Sequence, residues 1–560
     1  MSAVQTPYGP VLLLKEGTSE TKGHDAIRNN IQAAKIITDI IKSSLGPRGM
    51  DKMLVDSMGD VTITNDGATM LKQLDVQHPA GKILVEIAKA TDNEVGDGTT
   101  SAVVLAGALL EQAEKLLDKG IHPSQIVDGY NYASTLALEQ LGKLQIKIQA
   151  TDREWLLKLA KTSMRSKLIS EDSEELAAVV VDAVMQVATK SGTAYKVDID
   201  NVGTIKKQGA SIAETTLIKG LIIDKEVVHG GMPKSIKDAK IALLNSPLEI
   251  EKTEISAEIR ISDPTKMKAF LDEESHMLKE MVDKLSKVGA NVIMCQKGID
   301  DLAQHYLAKA GMLAVRRVKE SDLTRLAKAT GGRIITNLDD LSPADLGYAG
   351  IVEERKIEDD KWVFVEKCKE PKAVSILIRG GSQRVVDEAE RSLHDAIMVV
   401  KDAIEKPSVV AGGGAPEQEL SIRIKEESKK RAGREQLAAS AFADAMESIP
   451  LMLAQNAGMD PLDTQVELRA QHAKGSIWAG VDVYNNRIFD MEKLDVFEPL
   501  SVKEQIIKAA TEAAIMILRI DDVIASKGMK MPPPGAGGAP GGYGGMPGGM
   551  GGMGGMPGME

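Results

Sequence analysis

The sequence predicts a multidomain protein of α and α/β class, in which a helical domain assembled from both chain ends carries an α/β domain in its middle. Two observations predict this. Residues up to about 149 and from 415 to 525 share helical periodicity, whereas from Gly203 short β-rich runs alternate with helical patterns. A length of 560 residues also suggests roughly three or four domain-sized units.

The first helix covers Asp25 to Leu45, with apolar Ile27, Ile31, Ala34, Ile37 and Ile41 spaced by three or four so that one face is buried. It stops at the breaker cluster Leu45-Gly46-Pro47-Arg48-Gly49. Two β-like runs follow, Lys52 to Asp56 and Asp60 to Thr64, the second ending in the turn signal Asn65-Asp66-Gly67. Helices resume from Gly67, Ala80 and Thr99, and another spans Pro123 to Leu141. In the α/β region the strand candidates are Ile205–Gly209, Thr216–Asp224, Ala239–Asn245, Asn291–Cys295, Ala314–Val318 and Arg333–Thr336. Helices at Ile299–Ala310 and Glu320–Thr330 lie between them. A charged insertion, Glu249 to Val288, interrupts the alternation and reads as a solvated helical excursion. Its scattered Met267, Phe270, Leu271, Met277, Leu278 and Met281 also suit adaptable apolar contact. A strand at Val374–Arg379 leads through Gly380-Gly381-Ser382 into a long helix, and Val409 to Gly414 punctuates the return to helical texture. The tail 527–560, almost wholly Gly, Met and Pro, has too little to bury and reads as disordered.

Composition excludes several classes. With 43% hydrophobic residues but only 3% aromatics, Val, Ile, Leu, Ala and Met must fill the cores. A net charge of −12 argues against nucleic acid as the main partner. The two cysteines, Cys295 and Cys368, form no disulfide framework or zinc pattern, which points to a reducing compartment. With no signal-like N-terminus and no run read as long and apolar enough to span a bilayer, the expected location is the cytoplasm and no membrane partner is expected.

The run Gly96-Asp97-Gly98-Thr99-Thr100-Ser101 opens directly onto an apolar helical stretch, Ala102 to Leu110. Unpaired amides in a first helical turn favour an anion, and a carboxylate beside them suits the Mg²⁺ that accompanies nucleotide phosphates. The run reads either as an ordinary capped turn, which residue types alone favour, or as a site for a metal-bound polyphosphate. In the helix after Ser382, Val386, Ala389, Leu393, Ile397, Val400 and Ile404 form one stripe, and Asp395 lies roughly opposite it. Asp395 therefore faces either water, the usual fate of a charged helix face, or a cleft. No GxxxxGK[ST] occurs, so an ordinary P-loop is excluded, and the eight histidines show no metal spacing.

Taken together and in order, Leu45-Gly46-Pro47-Arg48-Gly49, Thr64-Asn65-Asp66-Gly67-Ala68-Thr69, Gly96-Asp97-Gly98-Thr99-Thr100, Glu390 to Ala396 and Val410 to Gly414 closely resemble the chaperonin family. Lys52 to Asp56 and the Gly-Gly-Met tail point to its group II branch, of archaeal thermosome type. The resemblance covers residues 10 to 527. It implies the chaperonin fold: a helical equatorial domain from 1–149 and 409–526, an intermediate α+β domain from 150–218 and 372–408, and an α/β apical domain at 219–371. The excursion near 249–288 would be a helical protrusion forming a built-in lid.

The resemblance also implies ATP and Mg²⁺ as cofactors and ATP hydrolysis as the activity. Gly46, Gly49, Thr99, Thr100 and Ser101 would cradle phosphates, with Leu45, Pro47 and Gly98 also in the cofactor-binding site; Asp97 would bind Mg²⁺, Gly413 would pack on the nucleoside and Glu498 would take the ribose hydroxyls. Asp395 would polarise the attacking water, assisted by Asp66. Lys167 matches the family's γ-phosphate-sensing lysine, although Met164-Arg165-Ser166-Lys167-Leu168 lacks the flanking glycines. Val483-Tyr484-Asn485-Asn486 lacks the usual glycine-bearing turn, so no base contact is assigned there. Met267, Leu302 and Tyr306 would meet unfolded or partly folded client proteins. Subunits would form two stacked rings of about eight or nine with themselves or with paralogues, needing no separate lid co-chaperonin. The competing reading is a passive scaffold or holdase that binds clients without ATP turnover.

Overall fold

The fold comes from a computed structural model, which describes residues 3–6, 9–12, 19–167, 172–250, 264–369 and 371–525. The expected tail over 527–560 lies outside the described residues, as does 251–263 of the insertion. The chain divides into a terminal unit, residues 1–26 with 522–560, and a body, residues 27–521. In the terminal unit Ala3–Thr6 pairs antiparallel with Gly9–Leu12, and Ser19–Lys22 pairs with Asp522–Ala525.

Three large hydrophobic cores organise the body. The first joins residues 27–144 to residues 410–518 and is almost entirely helical. The predicted stripe Ile27, Ile31, Ala34, Ile37 and Ile41 is buried in it, and helix Thr99–Asp118 contributes Val103, Leu105, Leu109 and Leu110. Tyr130, fully buried, donates its hydroxyl to the Leu109 carbonyl at 2.6 Å and meets Phe442 edge-on. One expectation is corrected here. The helical stretch Arg434–Asn456 is long and apolar enough to cross a membrane by length and composition. Its apolar residues Ala438, Phe442 and Met446 instead lie buried in this core, which accounts for their hydrophobicity.

The second core, residues 221–373, surrounds a seven-stranded sheet. Ser235–Leu244 pairs parallel with Val292–Cys295, which pairs parallel with Leu313–Val315, while Ile334–Ile335 adds to Ser235–Leu244. On its other side Ser235–Leu244 runs antiparallel to Gly347–Ile357, which forms a hairpin with Asp360–Glu366, and Gly220–Ile223 completes the sheet. Sequence reading missed that hairpin. Its first strand carries the charged run Glu353-Glu354-Arg355-Lys356, and its turn uses Glu358 at φ 55° rather than a glycine. The insertion is also less detached than expected. In its described helix, Pro264–Lys287, Leu278, Val282 and Leu285 are buried in this core, whereas Phe270, Leu271 and Met277 are exposed.

The third core packs helices Arg153–Met164, Ser173–Val187 and Gln383–Glu405 over a three-stranded sheet. In that sheet Val374–Gly380 lies between Thr216–Ile218 and Val202–Gln208. The apolar stripe of Gln383–Glu405 is buried as its spacing predicts. Lys206 reaches from the sheet to Asp387 and Glu390 at 2.8 Å each, fixing the first half of that helix. Ser501 donates to Asp402 at 2.8 Å, tying its second half to helix Leu500–Leu518.

Candidate functional site

The site begins where the first long helix ends. A 3₁₀ turn, Lys42–Ser44, closes into Leu45-Gly46-Pro47-Arg48-Gly49, with the Gly49 amide on the Gly46 carbonyl at 2.9 Å. Asn456 clamps this turn, its Nδ2 donating to the carbonyls of Lys42 at 3.0 Å and Leu45 at 2.9 Å. Removing the clamp with Asn456→Ala should cost about 1–2 kcal/mol, since two carbonyls lose their donor. A urea midpoint unchanged from wild type would contradict this.

The next element is the glycine-flanked carboxylate. Helix Pro79–Val95 ends at Gly96 with φ 67°, and Gly98, at φ 76°, starts helix Thr99–Asp118 without any side-chain cap. The left-handed angles call for glycine, and close contact reinforces the requirement at Gly96, where a Cβ would fall 2.3 Å from the Met398 Cβ. The Asp97 carboxylate accepts from the Gly98 amide at 2.6 Å. The first-turn amides of Thr99, Thr100 and Ser101 have no intrahelical acceptor, so they remain available to an anion. Asp66 caps helix Gly67–Gln73 through the Thr69 amide at 2.8 Å and receives the Thr99 hydroxyl at 3.3 Å.

Asp395 is buried and faces the cleft rather than water, which decides between the two readings of its helix face. Its partner is the Lys167 ammonium, from a segment 228 residues earlier. The Lys167 loop is itself held by Asn65, whose Nδ2 donates to the Ser166 carbonyl at 2.6 Å. One ammonium therefore sits among three carboxylates, Asp395, Asp97 and Asp66. Burial works against the charged lysine, but the three carboxylates outweigh it and hold the Lys167 pKa above its ordinary value. Burial, opposed by Lys167 and reinforced by Asp66 and Asp97, pushes Asp395 well above the usual carboxylate range.

Leu45, Gly46, Pro47, Asp66, Asp97, Gly98, Thr99, Thr100, Ser101, Lys167, Asp395, Gly413 and Glu498 all line one cavity of about 560 Å³. Gly49 does not; it closes the turn behind the wall, where a Cβ would meet the Ser44 carbonyl oxygen at 2.3 Å. Leu302 and Tyr306 lie elsewhere, in the seven-stranded-sheet region. Leu302 is exposed, and the Tyr306 hydroxyl meets Ser275 Oγ at 2.6 Å. Met267 lies in helix Pro264–Lys287, and its side chain is outside the described residues.

The structure also supplies wall residues that the sequence did not. Tyr484 and Asn485 line the cavity, although no contact was assigned to their turn. Asn486 takes the left-handed conformation at φ 50° that a glycine would otherwise supply, and Arg48 stacks over the Tyr484 ring at 5.4 Å. An Asn-Asn pair tolerates such a turn, and that was the available signal. Lys503 is the second addition. Buried in helix Leu500–Leu518, it reaches Glu498 and Glu417 at 2.8 Å each. Burial raises the Glu498 pKa against the pull of Lys503; for Lys503 the two carboxylates outweigh burial and raise it.

The donor set fits a magnesium ion brought in by phosphates. Three carboxylates against one ammonium leave an excess of negative charge. Yet among the described residues no group of three or more His, Cys, Asp or Glu could hold a metal by itself. Mg²⁺ commonly uses one or two carboxylates and completes its shell with phosphate oxygens and water.

Comparison with known proteins agrees along almost the whole chain. The sequence pattern of the TCP-1/cpn60 chaperonin family matches residues 37–528. Thermosome subunit alpha of Archaeoglobus fulgidus is 58% identical over 521 residues, covering 93% of this chain and 96% of that protein. Thermosome subunit beta of the same organism is 56% identical over 528 residues, covering 94% and 97%. A thermosome subunit of Pyrococcus horikoshii is 56% identical over 529 residues, covering 94% and 96%.

Proposed function

This chain belongs to the TCP-1/cpn60 chaperonin family, in its archaeal group II branch, and from that premise we propose how its cavity drives a folding cage. The protein is a chaperonin subunit that assembles with others of its kind. We read the helical core as the equatorial domain, the core around Gln383–Glu405 as the intermediate domain and the seven-stranded sheet as the apical domain.

In this reading the cavity takes ATP. The amides of Thr99, Thr100 and Ser101 and the Leu45-Gly46-Pro47 turn hold the phosphates, Gly413 lies against the nucleoside, and Glu498 takes the ribose hydroxyls. Mg²⁺ held by Asp97 would neutralise the phosphate charge. Asp395 orients a water in line with the γ-phosphorus and accepts its proton as the bond to the β–γ bridging oxygen breaks, releasing ADP and phosphate. Asp66 assists beside it, and Lys167 balances the carboxylates and meets the γ-phosphate. Such catalysis is mainly positioning and electrostatics.

The observation that carries the reading is the convergence of groups from two cores on one cavity. Asp66, Asp97 and an uncapped helix start come from one core, and Asp395 comes from another. A passive holdase has no use for this arrangement. Clients would be unfolded proteins met by Met267, Leu302, Tyr306 and the exposed Phe270 and Leu271. Assembly would be a double ring of one or more subunit types, consistent with relatives named alpha and beta in one organism. Two free cysteines fit a cytoplasmic setting.

The test is Mg²⁺-dependent ATP hydrolysis by the purified protein. Asp97→Asn should raise the Mg²⁺ concentration for half-maximal rate by roughly ten- to a hundredfold, the loss typical of a disturbed metal site. An unchanged Mg²⁺ requirement would remove Asp97 from the metal.

A further inference from the structure

Glu498, Lys503 and Glu417 form a buried chain of charges leading inward from the cavity wall. The Lys503 Nζ stands 2.8 Å from Glu498 Oε2 and 2.8 Å from Glu417 Oε1. The side chains of Lys503 and Glu417 are 6% and 3% exposed and that of Glu498 is 27% exposed; Glu498 and Lys503 both line the cavity. The three come from separate elements: strand Phe497–Pro499, helix Leu500–Leu518 and the first turn of helix Ala415–Ser428. The far oxygen of Glu417, Oε2, is buried with no hydrogen-bond partner, so this carboxylate has Lys503 as its hydrogen-bonding cation. The Lys503 ammonium is taken up on both sides by the Glu498 and Glu417 carboxylates. The chain fixes one carboxylate direction at the cavity wall.

We propose that Lys503 is a positioning residue for ribose recognition: anchored by Glu417, it holds the Glu498 carboxylate toward the sugar hydroxyls and so makes the site selective for ribonucleotides. This rests on the reading that the cavity binds ATP with Glu498 at the ribose. Without the ammonium Glu498, the more exposed of the two carboxylates, loses the hydrogen bond that holds it and would swing away. A carboxylate held in place forms charge-assisted bonds to the hydroxyls, whereas a swinging one gives up this geometry.

The test compares hydrolysis of ATP and 2′-deoxyATP by the full-length protein. The wild type should favour ATP by roughly tenfold or more in kcat/KM, the scale of a hydrogen bond to a charged group. Lys503→Met should reduce that preference to within about threefold, with the larger share of the loss in KM for ATP rather than in kcat. Since Lys503→Met leaves Glu417 buried without its cation, the double variant Glu417→Gln/Lys503→Met removes one charge of each sign and should fold while losing the same preference. Glu498→Gln separates the two layers of the argument. If it leaves the ATP to 2′-deoxyATP ratio untouched, Glu498 is not at the ribose. If it abolishes the ratio while the folded double variant keeps the wild-type preference, Lys503 has no positioning role.

Discussion

Asp395→Ala is expected to lower ATP hydrolysis by about 10²–10³-fold, the range for loss of a positioned general base, while nucleotide affinity and subunit assembly stay close to wild type. The substitution removes no phosphate-binding group. The Lys167 ammonium, though buried, keeps Asp97 and Asp66 as neighbouring charges, so the variant is not left with an uncompensated buried cation. Pre-steady-state hydrolysis together with binding of a non-hydrolysable ATP analogue separates chemistry from affinity. Wild-type turnover in the variant would sink the assignment of Asp395; loss of binding and turnover together would make it a structural residue.

The second large effect is on stability. Glu447, 1% exposed, accepts from Ser421 and Lys425 at 2.8 Å and from Gln465 and Arg469 at 2.6 Å. It joins helices Ala415–Ser428 and Pro461–Ala473. Glu447→Ala leaves these donors without their shared acceptor and should cost roughly 3–5 kcal/mol, the scale for breaking a buried ion pair from one side. Burial pushes the Glu447 carboxyl up, but the bonds from Arg469, Lys425 and Ser421 win and lower it from 4.5 to about 2. Because the folded pKa lies below the unfolded one, the stabilisation is complete above about pH 4.5 and is lost as pH falls toward 2. Wild type should therefore lose stability across that acid window, and Glu447→Gln should lose less there. Parallel pH profiles of the urea midpoint would refute the assignment.

Much of this site was legible because its chemistry is local in sequence. Gly96 to Ser101 carries its turn, the carboxylate proposed for the metal and its helix start in six consecutive residues, and the stripe of Gln383–Glu405 fixes which side of the helix Asp395 occupies. The stripe could not say whether that side met water or a cleft, since the cleft wall comes from Lys167, far away in sequence. Contacts across such distances leave no periodic trace. The same is true of Lys503, which reads as one more charge on an apolar helix until Glu417 and Glu498 converge on it. The hairpin Gly347–Glu366 was illegible for a local reason: the consecutive charges Glu353 to Lys356 and a glycine-free turn hide the alternation that marks a strand pair.

The bond between Ser501 and Asp402 gives the Gln383–Glu405 helix the geometry of a lever. Asp395 lies two turns before Asp402, an arm of about 10 Å at 1.5 Å per residue. A rotation of about 10° around that fulcrum carries the Asp395 carboxylate along an arc of roughly 2 Å. A displacement of about 1 Å is enough to cost a reaction around a hundredfold. On the role proposed for Asp395, a tilt of a few degrees would be the difference between an idle and a working carboxylate.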